Sequence, residues 1–102
     1  MEKVVYRSVE SISSSLNRAT ATTNNIYATM PNPSFLHFYF DSADAIATEL
    51  GMGNGGVMII AKNGNYRAFG LAVQYGGTKL WFARPRGQNV LEWYTIDGTA
   101  VS

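Results

Sequence analysis

The first candidate for chemistry is a glycine-rich stretch, GMGNGG, which begins at Gly51. Its glycines at Gly51, Gly53 and Gly56 match G-x-G-x-x-G, the spacing of loops that bind dinucleotide phosphates. Such a loop follows a strand and opens a helix, so that the positive helix N-terminus faces the phosphates. Here DSADAIATEL predicts a short helix before the glycines, and a strand follows them. Because the order is reversed and no Lys follows Gly56, we interpret the glycines as a helix stop and a flexible connection.

A second candidate is the set Ser34, His37 and Asp41, which supplies the residue types of a hydrolytic triad. On a strand, Ser34 and His37 point to opposite faces because side chains alternate. His37 is the only histidine and cysteine is absent, so no metal-ligand cluster is predicted. Asp41, Ser42 and Asp44 are better explained as capping and first-turn residues of the helix. We therefore expect no enzyme, no cofactor and no metal.

Composition narrows the class of protein further. A chain of 102 residues forms one domain, and its 15% of charged residues is low beside about 25% in ordinary soluble domains. A net charge of +1 gives no electrostatic case for nucleic acid or an anionic membrane. No apolar run is long enough for membrane insertion, and the N-terminus has no apolar signal region. The 13% of aromatic residues suits a β-rich protein whose surface is partly covered by partners.

Residues 1–30 are predicted to be an assembly or attachment segment made of a strand, a short helix and a linker. The strand covers residues 4–9, the polar residues 20–25 form the linker, and NIYATMPNPS continues as an extended segment. Apolar residues at spacings of three and four form one helical stripe: Val9, Ile12, Leu16 and Ala19. The stripe either packs on its own domain or associates with copies of itself, most simply as a trimer.

Residues 31–102 are predicted to be an antiparallel β domain. FLHFYF is a strand by its aromatic density. Three hairpins then join GVMIIAK, YRAFGLAVQY, KLWFAR and VLEWYTI, with turns at Asn63-Gly64, Gly76-Gly77 and residues 86–89. The fold class expected is mainly β, an antiparallel β-sandwich or meander with one short helix.

Strand parity divides these residues between two faces. Pairing across Gly76-Gly77 sets Leu71 opposite Phe82 and Ala72 opposite Trp81. We expect the apolar set to be the core, joined by Met58, Ile60 and Trp93: Phe69, Leu71, Val73, Leu80 and Phe82.

The opposite face is the candidate ligand or partner surface. Aromatic rings with polar neighbours hold sugars or partner chains, and here the set is Trp81, Tyr94, Gln74, Lys79 and Glu92. The alternative is that the N-terminal segment covers this face. Arg84 and Arg86, near Trp81 and Trp93, are a further candidate for binding. Arg beside aromatic residues can bind nucleic acid, but with so few other basic residues a solvated hairpin end or an Arg–aromatic stack is favoured.

The stretch NYRAFGLAVQYGGTKLWFARPRGQNVLEWYTI resembles the distal repeats of bacteriophage tail-fibre and receptor-binding proteins. In that family a strand with an aromatic residue and an Arg (LWFARP) precedes a Gly/Asn turn and a Trp-rich closing strand (VLEWYTI). The likeness covers about residues 57–96. It implies a trimeric, non-enzymatic module, although a chain that starts at its own Met leaves no room for an attachment domain and a shaft.

The resemblance implies a virion protein, made in the host cytoplasm without a signal peptide. The first hypothesis is a tail-fibre-like module that binds a host-surface receptor or glycan. The alternative is a capsid-decorating or fibre-joining protein that docks on other virion proteins.

Overall fold

A computed structural model describes residues 6–7, by their backbone, and residues 17–101. In chain order the elements are β1 (Tyr6–Arg7), α1 (Thr23–Thr29), β2 (Ser34–Phe40), α2 (Ala45–Leu50), β3 (Gly56–Gly64), β4 (Arg67–Gln74), β5 (Lys79–Gly87) and β6 (Val90–Asp97). The strands form one sheet in the order of the sequence. β1 pairs parallel with β2, and every later pair is antiparallel. The mainly β class and the antiparallel meander are therefore confirmed.

The two helices supply the second layer on one side of this sheet. Ile26 and Tyr27 of α1 and Ile46 and Ala47 of α2 are buried in one cluster with side chains of the sheet. We call this covered side the inner face. Its buried apolar strand residues are Leu36, Phe38, Phe40, Met58, Ile60, Ala72, Trp81, Ala83 and Leu91.

Helix α1 occupies the part of the chain for which a linker and an extended segment were predicted, so both of those predictions are wrong. A capping box starts the helix: Asn25 N–H donates to Thr22 Oγ1, and Thr22 N–H donates to Asn25 Oδ1. Ile26 and Tyr27 are buried against the sheet, which stabilises a helix of only 7 residues. Residues 23–30 therefore contribute to the same core as the β domain.

Helix α2 is confirmed with its left-handed end, but it begins at Ala45, so the prediction that Asp41 or Ser42 caps it is wrong. Gly51 has φ 71°, and its N–H donates to Thr48 O. Asp44 is the N-cap residue, but its carboxylate accepts from Asp41 N–H and from Arg18 instead of from the helix.

The hairpin between β3 and β4 differs from its prediction by a β-bulge. β3 continues through Asn63 and Gly64, and the chain turns at residues 65–66. Lys62 lies opposite Ala68 while Gly64 lies opposite Arg67, so the register shifts between them. Because of this shift, Met58 lies opposite Ala72 and Ile60 opposite Gly70. The two residues therefore share a face with these small residues, and not with the apolar residues of β4 as predicted.

The pairing predicted for β4 and β5 is confirmed, but the faces are exchanged. Leu71 lies opposite Phe82 and Ala72 opposite Trp81, and Gly76 and Gly77 both have positive φ in the connecting loop. Trp81 is buried, whereas Leu71 is exposed on the other side of the sheet. The residues predicted as core therefore lie away from the helices: Phe69, Leu71, Val73, Leu80 and Phe82.

Small residues on β4 explain this choice of face. A Cβ atom on Gly70 would lie 2.7 Å from the Trp93 ring, so glycine makes room for that tryptophan under the helices. Ala72 lies directly opposite Trp81 and gives the second ring similar space.

The predicted N-terminal stripe falls almost entirely outside the described residues. Val9, Ile12 and Leu16 belong to that part, and Ala19 is an exposed residue of a turn. Across residues 17–101, no helix has the length and apolar character needed to cross a membrane.

Candidate binding surface

The side of the sheet opposite the helices carries three apolar rows of cross-strand neighbours, which we call the outer face. The first row is Tyr39, Val57 and Val73. The second is His37, Ile59, Leu71, Phe82 and Tyr94. The third is Phe35, Ala61 and Phe69. These rows contain no Asp, Glu, Lys or Arg, and Leu80 and Ile96 extend the apolar surface across β5 and β6.

No described element covers the outer face, and its large side chains reach solvent. Val57 is 59% exposed, Val73 49% and Phe69 46%. Scattered apolar residues are normal at protein surfaces, but a contiguous apolar patch of this extent marks an interaction site. The outer face is therefore the first candidate for function.

A polar cluster forms one end of the outer face. The Arg84 Nη2 atom donates to the Tyr94 hydroxyl at 3.0 Å, and that hydroxyl donates to Glu92 Oε1 at 2.5 Å. The Tyr94 ring stacks on Phe82, with 5.4 Å between ring centroids. The hydrogen bond to Tyr94 is the main cause that raises the pKa of Arg84. The cluster thus presents an ordered aromatic ring with both signs of charge beside it.

Charges at the opposite end are also paired. Arg18 lies over the Tyr39 ring at 5.1 Å and donates to Asp44 Oδ2 at 2.6 Å. This hydrogen bond to Asp44 is the main cause that raises the pKa of Arg18. The apolar rows are consequently flanked by ion pairs at both ends.

An open groove of about 590 Å³ continues the outer face at the glycine-rich loop. Its walls include Val57, Val73 and Tyr75. Gln74 Oε1 accepts hydrogen bonds from the backbone N–H groups of Gly53 and Asn54. These hydrogen bonds hold the loop to β4. They use the same backbone N–H groups that would have to bind a phosphate. The helix precedes the glycines as predicted, so the loop is a connection in the described structure.

The structure keeps apart Ser34 and His37, two of the residues that matched a hydrolytic triad by type. Ser34 is buried and donates to Pro31 O, whereas His37 is exposed on the outer face near the Phe35 ring. Within residues 17–101, no three His, Asp or Glu side chains form a group that could hold a metal ion.

The predicted binding set is divided between the two faces. Trp81 is 4% exposed and its Nε1–H donates to Leu50 O, so the prediction that it lies beside Tyr94 on the surface is wrong. Trp93 likewise faces the helices and donates to Thr23 Oγ1.

Three predicted residues, Arg84, Glu92 and Tyr94, do come together. The other predicted residues lie elsewhere. Gln74 accepts hydrogen bonds from the glycine-rich loop, Lys79 lies at the start of β5, and Arg86 is exposed near the β5 bulge. Sequence reasoning missed Val57, Phe69 and Leu71 as surface residues because their apolar character is typical of a core. The feature of the sequence that could have identified the covered face was the pair of small residues, Gly70 and Ala72, on the other face of the same strand.

Comparison with protein-family models, curated proteins and solved structures finds no match to this chain.

Proposed function

We propose that this protein is a non-enzymatic assembly module that docks on a neighbouring protein chain through its outer face. The observation that carries this proposal is the set of apolar rows on β2 to β6, which contain no Asp, Glu, Lys or Arg, with Val57, Phe69 and Val73 about half exposed. An exposed apolar centre with a polar rim is the usual anatomy of a protein–protein interface.

The resemblance of residues 57–96 to tail-fibre modules leads us to place this neighbour in a bacteriophage particle. LWFARP and VLEWYTI, which carry the likeness, form β5 and β6 and contribute Phe82 and Tyr94 to the outer face. We therefore favour a decorating or fibre-joining virion protein.

The polar cluster supports a second candidate, recognition of a host-surface glycan. Sugars stack on aromatic rings while charged side chains orient their hydroxyl groups. Tyr94, Arg84 and Glu92 offer such a combination, although the buried Trp81 is no longer part of it. This site is smaller than the one expected from the sequence.

Two substitutions separate these functions. Val57→Glu places a charge within the apolar rows, and we expect it to abolish incorporation into particles because a central apolar contact is lost. Glu92→Ala removes a rim carboxylate that would orient sugar hydroxyl groups, and we expect it to leave incorporation intact because rim contacts contribute little to docking. Particle incorporation is measured by gradient purification and immunoblotting, and glycan affinity by calorimetry with purified surface polysaccharide.

Thr95→Glu is the matched control, because Thr95 is exposed on β6 but lies opposite Trp81 and so has inner-face parity. Normal incorporation of a folded Val57→Glu variant would refute docking through the outer face. Loss of measurable glycan affinity in Glu92→Ala, with incorporation intact, would favour receptor recognition instead.

A further inference from the structure

We propose that the neighbour that covers the outer face is another copy of this chain, packed sheet against sheet. The inference rests on the proposed function and names the partner of the same surface. It follows from the area of the face, its charge and its shape.

Area is the first argument. Five antiparallel strands, spaced about 4.8 Å apart and about seven residues long, give a face of roughly 550 Å². Two such faces in contact remove about 1,100 Å² from solvent, which exceeds the roughly 1,000 Å² that a specific interface needs. One copy is therefore large enough to cover the other.

Charge is the second argument. A surface that meets its own copy must not place like charges together, since like-charge contacts disfavour association. The apolar rows contain no Asp, Glu, Lys or Arg, and the rim carries Arg84 with Glu92 at one end and Arg18 with Asp44 at the other. Each end offers both signs, so a symmetry-related copy meets a complementary rim.

Shape is the third argument. Apolar faces of sheets pack about 10 Å apart with their side chains interdigitated. The outer face alternates large and small neighbours in its third row, where Ala61 lies between Phe35 and Phe69. A second outer face supplies side chains of the same sizes, and contact between copies would complete a β-sandwich that a single chain lacks in its described part.

The test is the mass of the purified protein by light scattering after size-exclusion chromatography, at several micromolar concentrations. We expect an oligomer for the natural protein and for Thr95→Glu. We expect Leu71→Glu to raise the dissociation constant at least about 30-fold, as removal of a central interface contact does. Circular dichroism checks folding, and if Leu71→Glu fails to fold, the more exposed Val57→Glu takes its place.

A natural protein that is monomeric would overturn the inference, as would an oligomer that survives both outer-face variants. If the natural protein is monomeric and Leu71→Glu strongly destabilises it, we would infer that another part of the same chain covers the outer face. If the natural protein is monomeric but Val57→Glu still fails to enter particles, only the identity of the partner is wrong. If Val57→Glu dissociates the oligomer yet enters particles normally, self-association stands and the proposed docking function fails.

Discussion

Among the described residues, Lys62 is a charged side chain in an unusually buried environment. It is 3% exposed, and its ammonium donates to Tyr27 O, Met30 O and Asn89 Oδ1. No ion pair to Lys62 occurs among the described residues. Two of its acceptors are carbonyl groups at the C-terminal end of α1, where a cation is favoured. Lys62 thus fixes α1 to the sheet through backbone oxygens.

Burial lowers the pKa of Lys62 below its ordinary value of 10.5. The unfolded chain therefore keeps this proton to higher pH than the folded chain, so the contribution of Lys62 to stability rises as pH approaches 10.5.

We predict that Lys62→Met lowers the free energy of unfolding by about 1–3 kcal/mol at neutral pH, because two buried carbonyl groups and the partly buried Asn89 side chain lose their donor. The difference between the natural protein and this variant should grow as the pH is raised toward 10. Urea denaturation at a series of pH values measures it. A difference that shrinks over this range would contradict the assigned environment of Lys62.

At the scale of elements, glycines let three strands approach one another at the loop before β3. A Cβ atom on Gly55 would lie 2.2 Å from Phe40 O, and one on Gly56 would lie 2.1 Å from Val73 O. These contacts are with backbone atoms, so no side-chain rotation relieves them. Of the three glycines that match the nucleotide-loop spacing, Gly56 is thus the one required by strand packing.

We predict that Gly56→Ala destabilises the fold by about 1–3 kcal/mol, the usual cost of overpacking. Gly53→Ala is the matched control in the same loop, since its Cβ would meet nothing within 4 Å. We expect its effect to stay within about 0.5 kcal/mol. Thermal denaturation of both variants provides the comparison, and equal losses would show that close strand approach is unimportant here.

At the scale of the whole molecule, the described chain has one covered face and one uncovered face. The inner face buries Trp81 and Met58 under two short helices, while the outer face exposes Val57 and Phe69. Substitution of outer-face residues should therefore affect association more than folding of a single chain. This distinction reverses the expectation that Leu71 and Phe82 form the core.

We predict that the melting temperature of the natural protein rises with protein concentration, because association stabilises the folded state by mass action. The Leu71→Glu variant should melt at one temperature at all concentrations. Differential scanning calorimetry across a concentration series tests this, and a concentration-independent melting temperature of the natural protein would count against self-association.

The sequence by itself determined the local features of this protein. Alternation and aromatic density located β2 to β6, Gly51 marked the end of α2, and the Gly76-Gly77 loop set Leu71 opposite Phe82. These features depend on backbone conformation and on neighbours a few residues away, which sequence patterns record directly.

Only the tertiary structure decided which face of the sheet is covered. Both faces of β4 and β5 carry apolar residues, so parity alone could not distinguish core from surface. The decision came from the bulge at Asn63, from the two helices docked over Trp81 and Trp93, and from Gly70 and Ala72 beneath their rings. The candidate site depends on that decision, because the face left uncovered is the one available for binding.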